Sequence, residues 1–280
     1  MEIKTYIIGL KDRFDRRTAL NSNLRELDYE YYDAVKGEEL DIQKLIQDNV
    51  ISNCIKSPLT GIMTKGVIGC ALSHLNVWKK IIDEGHDTAL ILEDDVFLDT
   101  HINTLNSAFD NIKKLNNWDV VFLGKQTVDI INHRTNPNNY QEYVDGVSNF
   151  PEDLHEMRYG AGFFCAHAYV LSRSGVQKLV EQAGKGIDYP IDVFIEEMKK
   201  YDFQIYTTAR SLIRQKSHAI LDTLNTQNNL ADIDSDTWVN KRNKLKSLSI
   251  EVDFDMIKKI EIKKSDDNYL KEEPYVYMFL

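Results

Sequence analysis

Three adjacent carboxylates, Glu93-Asp94-Asp95, interrupt an apolar run, Ala89–Leu98 (ALILEDDVFL). Burying unpaired charge is prohibitively costly, so the triplet cannot lie inside the core that such a strand builds. It belongs where the strand emerges, at the carboxyl edge of a sheet, where open α/β sheets bind ligands. Glu93 and Asp95 are two apart, so in extended backbone they point the same way. Two such carboxylates hold one hard divalent cation, which bridges the oxygens of a diphosphate. A solvated acidic turn is the alternative that the triplet alone leaves open. Asp192 is a second carboxylate of interest, at the start of a predicted helix after Tyr189-Pro190, where a carboxylate is held at a cleft edge. An aspartate there is also an ordinary helix cap.

The elements that must position these groups read as alternating strands and helices. Thr5–Leu10 (TYIIGL) is a predicted buried strand. A helix follows with Asp12 as N-cap and Leu20, Leu24 and Leu27 on one face. Tyr29–Val35 is a second strand ended by Gly37, and residues 38–64 read as polar and irregular. Gly66–Glu84 has Ile68, Leu72, Leu75 and Ile82 at helical spacing and leads into the strand Thr88–Leu92. Trp118–Leu123 is a further strand closed by Gly124, and 125–158 is polar and Asn-rich, a long loop or a lid. Strand character returns over Gly160–Leu171. Ser172 or Ser174 then caps a helix ending near Gln182, Asp192 opens one through Lys200, and Phe203–Thr207 is a strand. Helices are expected near 236–247 and 253–264. The alternation implies an α/β sheet covered on both faces.

The 280 residues carry 34 Lys plus Arg against 44 Asp plus Glu, a formal charge of −10 that disfavours nucleic acid as a partner. The three cysteines, Cys54, Cys70 and Cys165, include no CxxC pair, which argues against a disulfide framework or a cysteine-based zinc site. Cys70 and Cys165 sit in apolar runs and read as small core hydrophobes. The opening MEIKTYIIGLKDR is too short in its apolar run for a signal peptide or a spanning helix. A reduced, cytoplasmic setting is the expectation.

Gly69–Ile81 (GCALSHLNVWKKI) followed by ALILEDDVFL resembles the family 25 glycosyltransferases, which include bacterial lipooligosaccharide galactosyltransferases and collagen galactosyltransferases. YIIGLKDRFDRR near the N-terminus, WDVVFLG, GFFCAHAYVLSRSGVQKL and YPIDVFI match that family in the same order. The resemblance covers roughly residues 3–220. It implies a GT-A-type Rossmann-like nucleotide-sugar-binding domain with a mostly parallel sheet, placed at residues 1–225, and leaves 226–280 as a helical extension. It also implies a divalent metal, Mn2+ or Mg2+, and inversion at the anomeric carbon. The acidic motif departs from Asp-x-Asp, so which two of Glu93, Asp94 and Asp95 touch the metal stays open.

Site roles follow from the same resemblance. Glu93 and Asp95 would hold the metal, with His218 as a third ligand, and Asp94 would pack against sugar or ribose. Asp192 would be the general base, with Asp188 and Glu196 as alternatives. Ser73 and His74 would line the donor site, Arg13, Arg16 or Arg17 would contact the nucleotide, and the Leu10 backbone would lie near the uracil. The implied reaction moves a hexose, galactose from UDP-galactose first among the candidates, to a lipooligosaccharide or related surface glycan. It would run at the inner face of the inner membrane, with at most peripheral membrane contact. Two alternatives remain: a metal-dependent nucleotidyl- or phosphoryl-transfer enzyme, and a non-catalytic sugar-nucleotide-binding protein.

Overall fold

The computed structural model describes residues 3–52, 63–127, 150, 152–157 and 163–215. In chain order the first elements are β1 (Lys4–Gly9), α1 (Phe14–Asn23), β2 (Tyr29–Asp33), α2 (Ile42–Gln47), α3 (Lys65–Asp83), β3 (Thr88–Glu93), β4 (Val96–Leu98) and α4 (Ile102–Lys113). β5 (Val120–Thr127), β6 (Leu154–Glu156), β7 (Phe163–Ser172), α5 (Arg173–Ala183), α6 (Ile191–Glu197), β8 (Ile205–Thr208) and β9 (Ile213–Gln215) follow. Seven strands form one sheet in the order β2-β1-β3-β7-β5-β8-β6, while β4 and β9 pair separately. β1 is parallel to β2 and β3, and β5 is parallel to β8. β7 runs antiparallel to both β3 and β5, and β6 antiparallel to β8. Five strands therefore share one direction, giving the mostly parallel α/β sheet that the sequence implies.

Alternation along the strands divides the core between the two faces. Tyr6, Ile8, Ala89, Ile91, Phe122 and Tyr169 pack on one face with Ile68, Leu75, Trp78 and Leu179 from α3 and α5. Ile7, Leu90, Leu92, Val121 and Val170 pack on the other with Leu20, Leu105 and Ile112 from α1 and α4. α3 starts where the Thr64 side chain accepts the Val67 N–H. It stops in a Schellman turn: Gly85, at φ 75, donates to Ile82 O and His86 donates to Ile81 O. A side chain at that left-handed position would be strained, and glycine is not.

The structure corrects several element assignments. The N-cap of α1 is Arg13, while Asp12 pairs with Lys36 at 3.4 Å. The stretch read as irregular contains α2, whose cap Asp41 accepts the Lys44 N–H at 3.0 Å. β5 does not close at Gly124 but runs on to Thr127. The helix after Pro190 is shorter than expected, giving way to a 3-10 turn at Met198–Tyr201 and left-handed Asp202. α4, to which the sequence reading assigns nothing, buries Leu105, Ala108 and Ile112 beneath an Asn-rich polar face. The proposed lid falls mostly outside the described residues, apart from the start of the stretch within β5 and from β6 near its end. His218 and the whole C-terminal extension also lie outside them. Among the described residues no helix is long and apolar enough to cross a membrane.

Candidate active site

β1 and β3 run parallel and end side by side, with Ile8 opposite Glu93. The chain then turns through Asp94 and Asp95 into β4, which β9 meets in antiparallel register with Val96 opposite Gln215. That pairing sets Gln215 beside the turn. Its Nε2 donates to Glu93 Oε2 at 2.9 Å and to Asp95 Oδ1 at 3.3 Å. Glu93 and Asp95 thus converge on one amide, as their spacing requires. Asp94 turns away, packs on Gly9 and accepts from an Arg16 guanidinium nitrogen at 2.6 Å. A Cβ at Gly9 would come within 2.6 Å of Asp94 Oδ2, so glycine at the end of β1 gives Asp94 its place.

Charge at this edge is under tension. Burial and the neighbouring Glu93 carboxylate push Asp95 up to about 7, with Arg16 only partly opposing them. Burial also acts upward on Glu93, but the imidazoles of His74 and His167 and the Gln215 amide outweigh it and hold Glu93 below its ordinary range. Asp94 is raised by burial despite its bond to Arg16. Two carboxylates forced together in this way favour a cation between them.

α3 supplies the wall opposite. Cys70 and His74 are one helical turn apart and share a face. His74 is fully buried, its Nδ1 lies 2.7 Å from Tyr169 Oη, and that oxygen also accepts the Trp78 indole N–H at 2.9 Å. The direction of the Tyr169–His74 bond follows whichever ring nitrogen of His74 carries the proton. His74 Nε2 faces Glu93 Oε1 across 3.5 Å and makes no hydrogen bond. Ser73 is also buried, donating to Gly69 O at 2.6 Å and accepting the Val35 N–H at 2.8 Å. A Cβ at Gly69 would meet Val35 O at 2.7 Å, so Gly69 and Ser73 together seat the loop after β2 against α3.

β7 supplies the floor. Its register with β5 shifts on either side of Gly124, which faces Ala168. Within this irregular stretch Cys165 has φ 72, left-handed backbone that costs a non-glycine residue roughly 1–3 kcal/mol. The conformation aims the Cys165 N–H at Asp192 Oδ2, 3.0 Å away, while Asp192 Oδ1 accepts the Val193 N–H at 2.9 Å in the first turn of α6. Burial raises Asp192, these two donors lower it without cancelling the rise, and Glu93 adds to it. Burial and then the charges of Asp192, Glu93 and Asp95 hold the Cys165 thiol well above its ordinary range. Burial pushes the His167 imidazole down, and its Nε2 donates to Ile213 O at 3.0 Å. That contact exists because Gly124 lacks a side chain: a Cβ there would lie 1.9 Å from Ile213 O and 2.3 Å from His167 Nε2.

Arg13 is engaged with Asp15 at 2.8 Å, and Arg17 bonds Asp33 and lies over the Tyr31 ring. Leu10 follows β1, and its carbonyl accepts the Arg13 N–H. Asp188 precedes α6, and Glu196 is buried within it. Neither described cysteine is a fully buried core residue: Cys70 is solvent-accessible and Cys165 half-buried. The sequence reading did not single out Gln215, His167 or Tyr169. Polar residues at alternate positions of the otherwise apolar run Cys165–Tyr169 were the available signal.

The profile of a family described as Glycosyltransferase family 25 (LPS biosynthesis protein) matches residues 2–195. Procollagen galactosyltransferase 1-B of Xenopus laevis is 30% identical over 70% of this chain and 31% of its own length. Human procollagen galactosyltransferase 2 is 30% identical over 69% of this chain and 30% of its own length. A mouse relative named Inactive glycosyltransferase 25 family member 3 is 29% identical over 70% of this chain and 31% of its length. The chain spans less than a third of the length of these relatives. With the profile match extending from β1 into α6 and across the acidic strand end, the chain belongs to glycosyltransferase family 25.

Proposed function

We propose that this chain is a metal-dependent inverting glycosyltransferase that moves a hexose, galactose from UDP-galactose, to a lipooligosaccharide or related surface-glycan acceptor. The observation that carries the reading is the convergence of Glu93 and Asp95 on the Gln215 amide, with Asp192 held at the start of α6 by the Cys165 N–H. Family membership and relatives named as galactosyltransferases support the reaction class and the hexose.

The donor set of Glu93 and Asp95 is all oxygen and doubly anionic, which fits a hard ion such as Mn2+ or Mg2+. When bound, that ion supplies charge neutralisation for the departing diphosphate. Asp192 accepts the proton of the acceptor hydroxyl as that oxygen bonds the anomeric carbon and the bond to the diphosphate breaks. Its backbone donors fix the carboxylate while each oxygen keeps a second lone pair for the incoming proton. Arg16 holds Asp94 beside the end of β1 and would bring positive charge to the donor diphosphate there. The acceptor is met at the cytoplasmic face of the inner membrane in this reading.

The test is UDP release from a panel of UDP-sugars with Mn2+, alone and with glycan acceptors. Release from one donor, lost with EDTA and in Asp95→Ala, supports the transferase. UDP binding with no release from any donor and acceptor would place the chain instead with its relatives named inactive.

A further inference from the structure

We infer that Cys70, His74 and Glu93 form a binding site for a thiophilic divalent cation of the Zn2+ class, distinct in ligand chemistry from the all-oxygen pair above. One ligand atom from each of the three lies within 4.8 Å of the others. Cys70 and His74 come from successive turns of α3, the spacing by which one helix face offers two ligands to one ion. Glu93 closes the set from the end of β3.

An independent observation points the same way. His74 Nε2 is a buried polar atom with no hydrogen-bond partner, and native structures rarely leave such atoms orphaned. Its ion-pair neighbour Glu93 Oε1, at 3.5 Å, makes no hydrogen bond to it. Ligands about 2.0 Å from a tetrahedral zinc lie about 3.3 Å from one another, so the separation too long for a hydrogen bond suits two ligands of one ion. The rest of the imidazole is already arranged for ligation. With Nε2 on a metal, Nδ1 carries the proton and donates to Tyr169 Oη, which the Trp78 indole holds in place. Metal-binding histidines characteristically have such a partner on the second nitrogen. Sulfur, nitrogen and one carboxylate oxygen select Zn2+ or Co2+ over Mn2+ or Mg2+. The site goes beyond the transferase reading and does not depend on it, although Glu93 is common to both. The absence of a CxxC pair therefore did not exclude a cysteine-containing metal site: a CxxxH turn with a strand-end carboxylate provides one.

The test uses the full, reduced, chelator-stripped chain titrated with Co2+ and then Zn2+. One equivalent of Co2+ is expected to give the near-ultraviolet thiolate-to-cobalt charge-transfer band, which Zn2+ bleaches. Cys70→Ser should abolish the band, whereas Cys165→Ser and Cys54→Ser keep it. His74→Gln should weaken Zn2+ binding about tenfold or more. Circular dichroism checks each variant for folding, and Cys70→Ala, at an accessible helix position, replaces Cys70→Ser if that variant misfolds. No charge-transfer band in the unmodified chain would overturn the inference. So would a band that survives loss of Cys70, or one lost from folded Cys165→Ser. The readout is a metal–sulfur bond, so failure here and failure of sugar transfer are separately visible.

Discussion

Asp95→Asn should stabilise the metal-free protein at pH 8 while weakening its binding of Mn2+. The variant keeps the shape of the side chain, and its carbonyl oxygen can still accept from Gln215. What it removes is a charge held at about 7 instead of the ordinary 3.8. The sign follows from linkage. A carboxyl whose folded-state pKa is raised contributes its stability in full below the unfolded value, and that contribution is lost as pH rises through the folded one. The unmodified chain therefore loses stability between about pH 4 and about pH 7, and the asparagine variant lacks that loss. Each tenfold in proton affinity is worth about 1.4 kcal/mol, which puts a ceiling of about 4 kcal/mol on the difference at pH 8. The Asp95 side chain is 16% exposed, and relaxation around the pair reduces the penalty further, so the expected gain is about 1–2 kcal/mol. Urea melts in EDTA at pH 4.5 and pH 8 measure it, and calorimetry with Mn2+ measures the loss of metal binding. Equal stability differences at both pH values, or a variant less stable at pH 8, would refute the account of a carboxylate pair in electrostatic tension.

Three further outcomes are expected. Asp192→Asn should lower kcat about 10²–10⁴-fold with little change in donor KM, read in steady-state transfer assays, because it removes a proton acceptor. Gly124→Ala should cost about 1–3 kcal/mol in urea melts and also weaken Mn2+ binding. Its Cβ collides with Ile213 O on β9, the strand that carries Gln215, whereas Gly184→Ala, with nearest contact at 3.2 Å, should be close to neutral. Ser73→Ala should cost about 1–3 kcal/mol by stranding the Val35 N–H, with melts again as the assay.

The legible parts of the fold were those with periodic apolar residues. TALIL read as a strand because it is buried on both faces, and α3 read as a helix because Ile68, Leu72 and Leu75 recur at its period. Ser172, named in the sequence as a candidate cap, does accept the Gly175 N–H. α4 was missed although Ile102, Leu105, Ala108, Phe109 and Ile112 recur at helical spacing, because Asn103, Asn106 and Asn111 between them read as loop. β4 and β9 have three residues each, too few to show a period, and pair across more than a hundred residues of chain. The same limit governs the site. The acidic triplet announces itself because charge inside an apolar run needs a reason. Gln215, by contrast, matters only through a strand pairing that no local pattern encodes. Likewise, Gly124 is needed for a close approach between β5, β7 and β9 that only the tertiary structure brings about.

The reversed strand β7 has a consequence for how the chain is made. β3 and β5 do not touch each other; each pairs with one side of β7, which emerges from the ribosome some 80 residues after β3. At about 5–20 residues per second, the apolar edge of β3 waits about 4–16 s for its partner. During that interval β5, apolar over Val120–Leu123 and already synthesised, is available to zip onto β3 in parallel. Such a pairing would close the sheet without the strand that carries Cys165 and His167, and β7 could enter only after it had come apart. Nascent chains arrested before Ser172 should therefore recruit chaperones or aggregate through β3, whereas arrest beyond it should release that edge from risk.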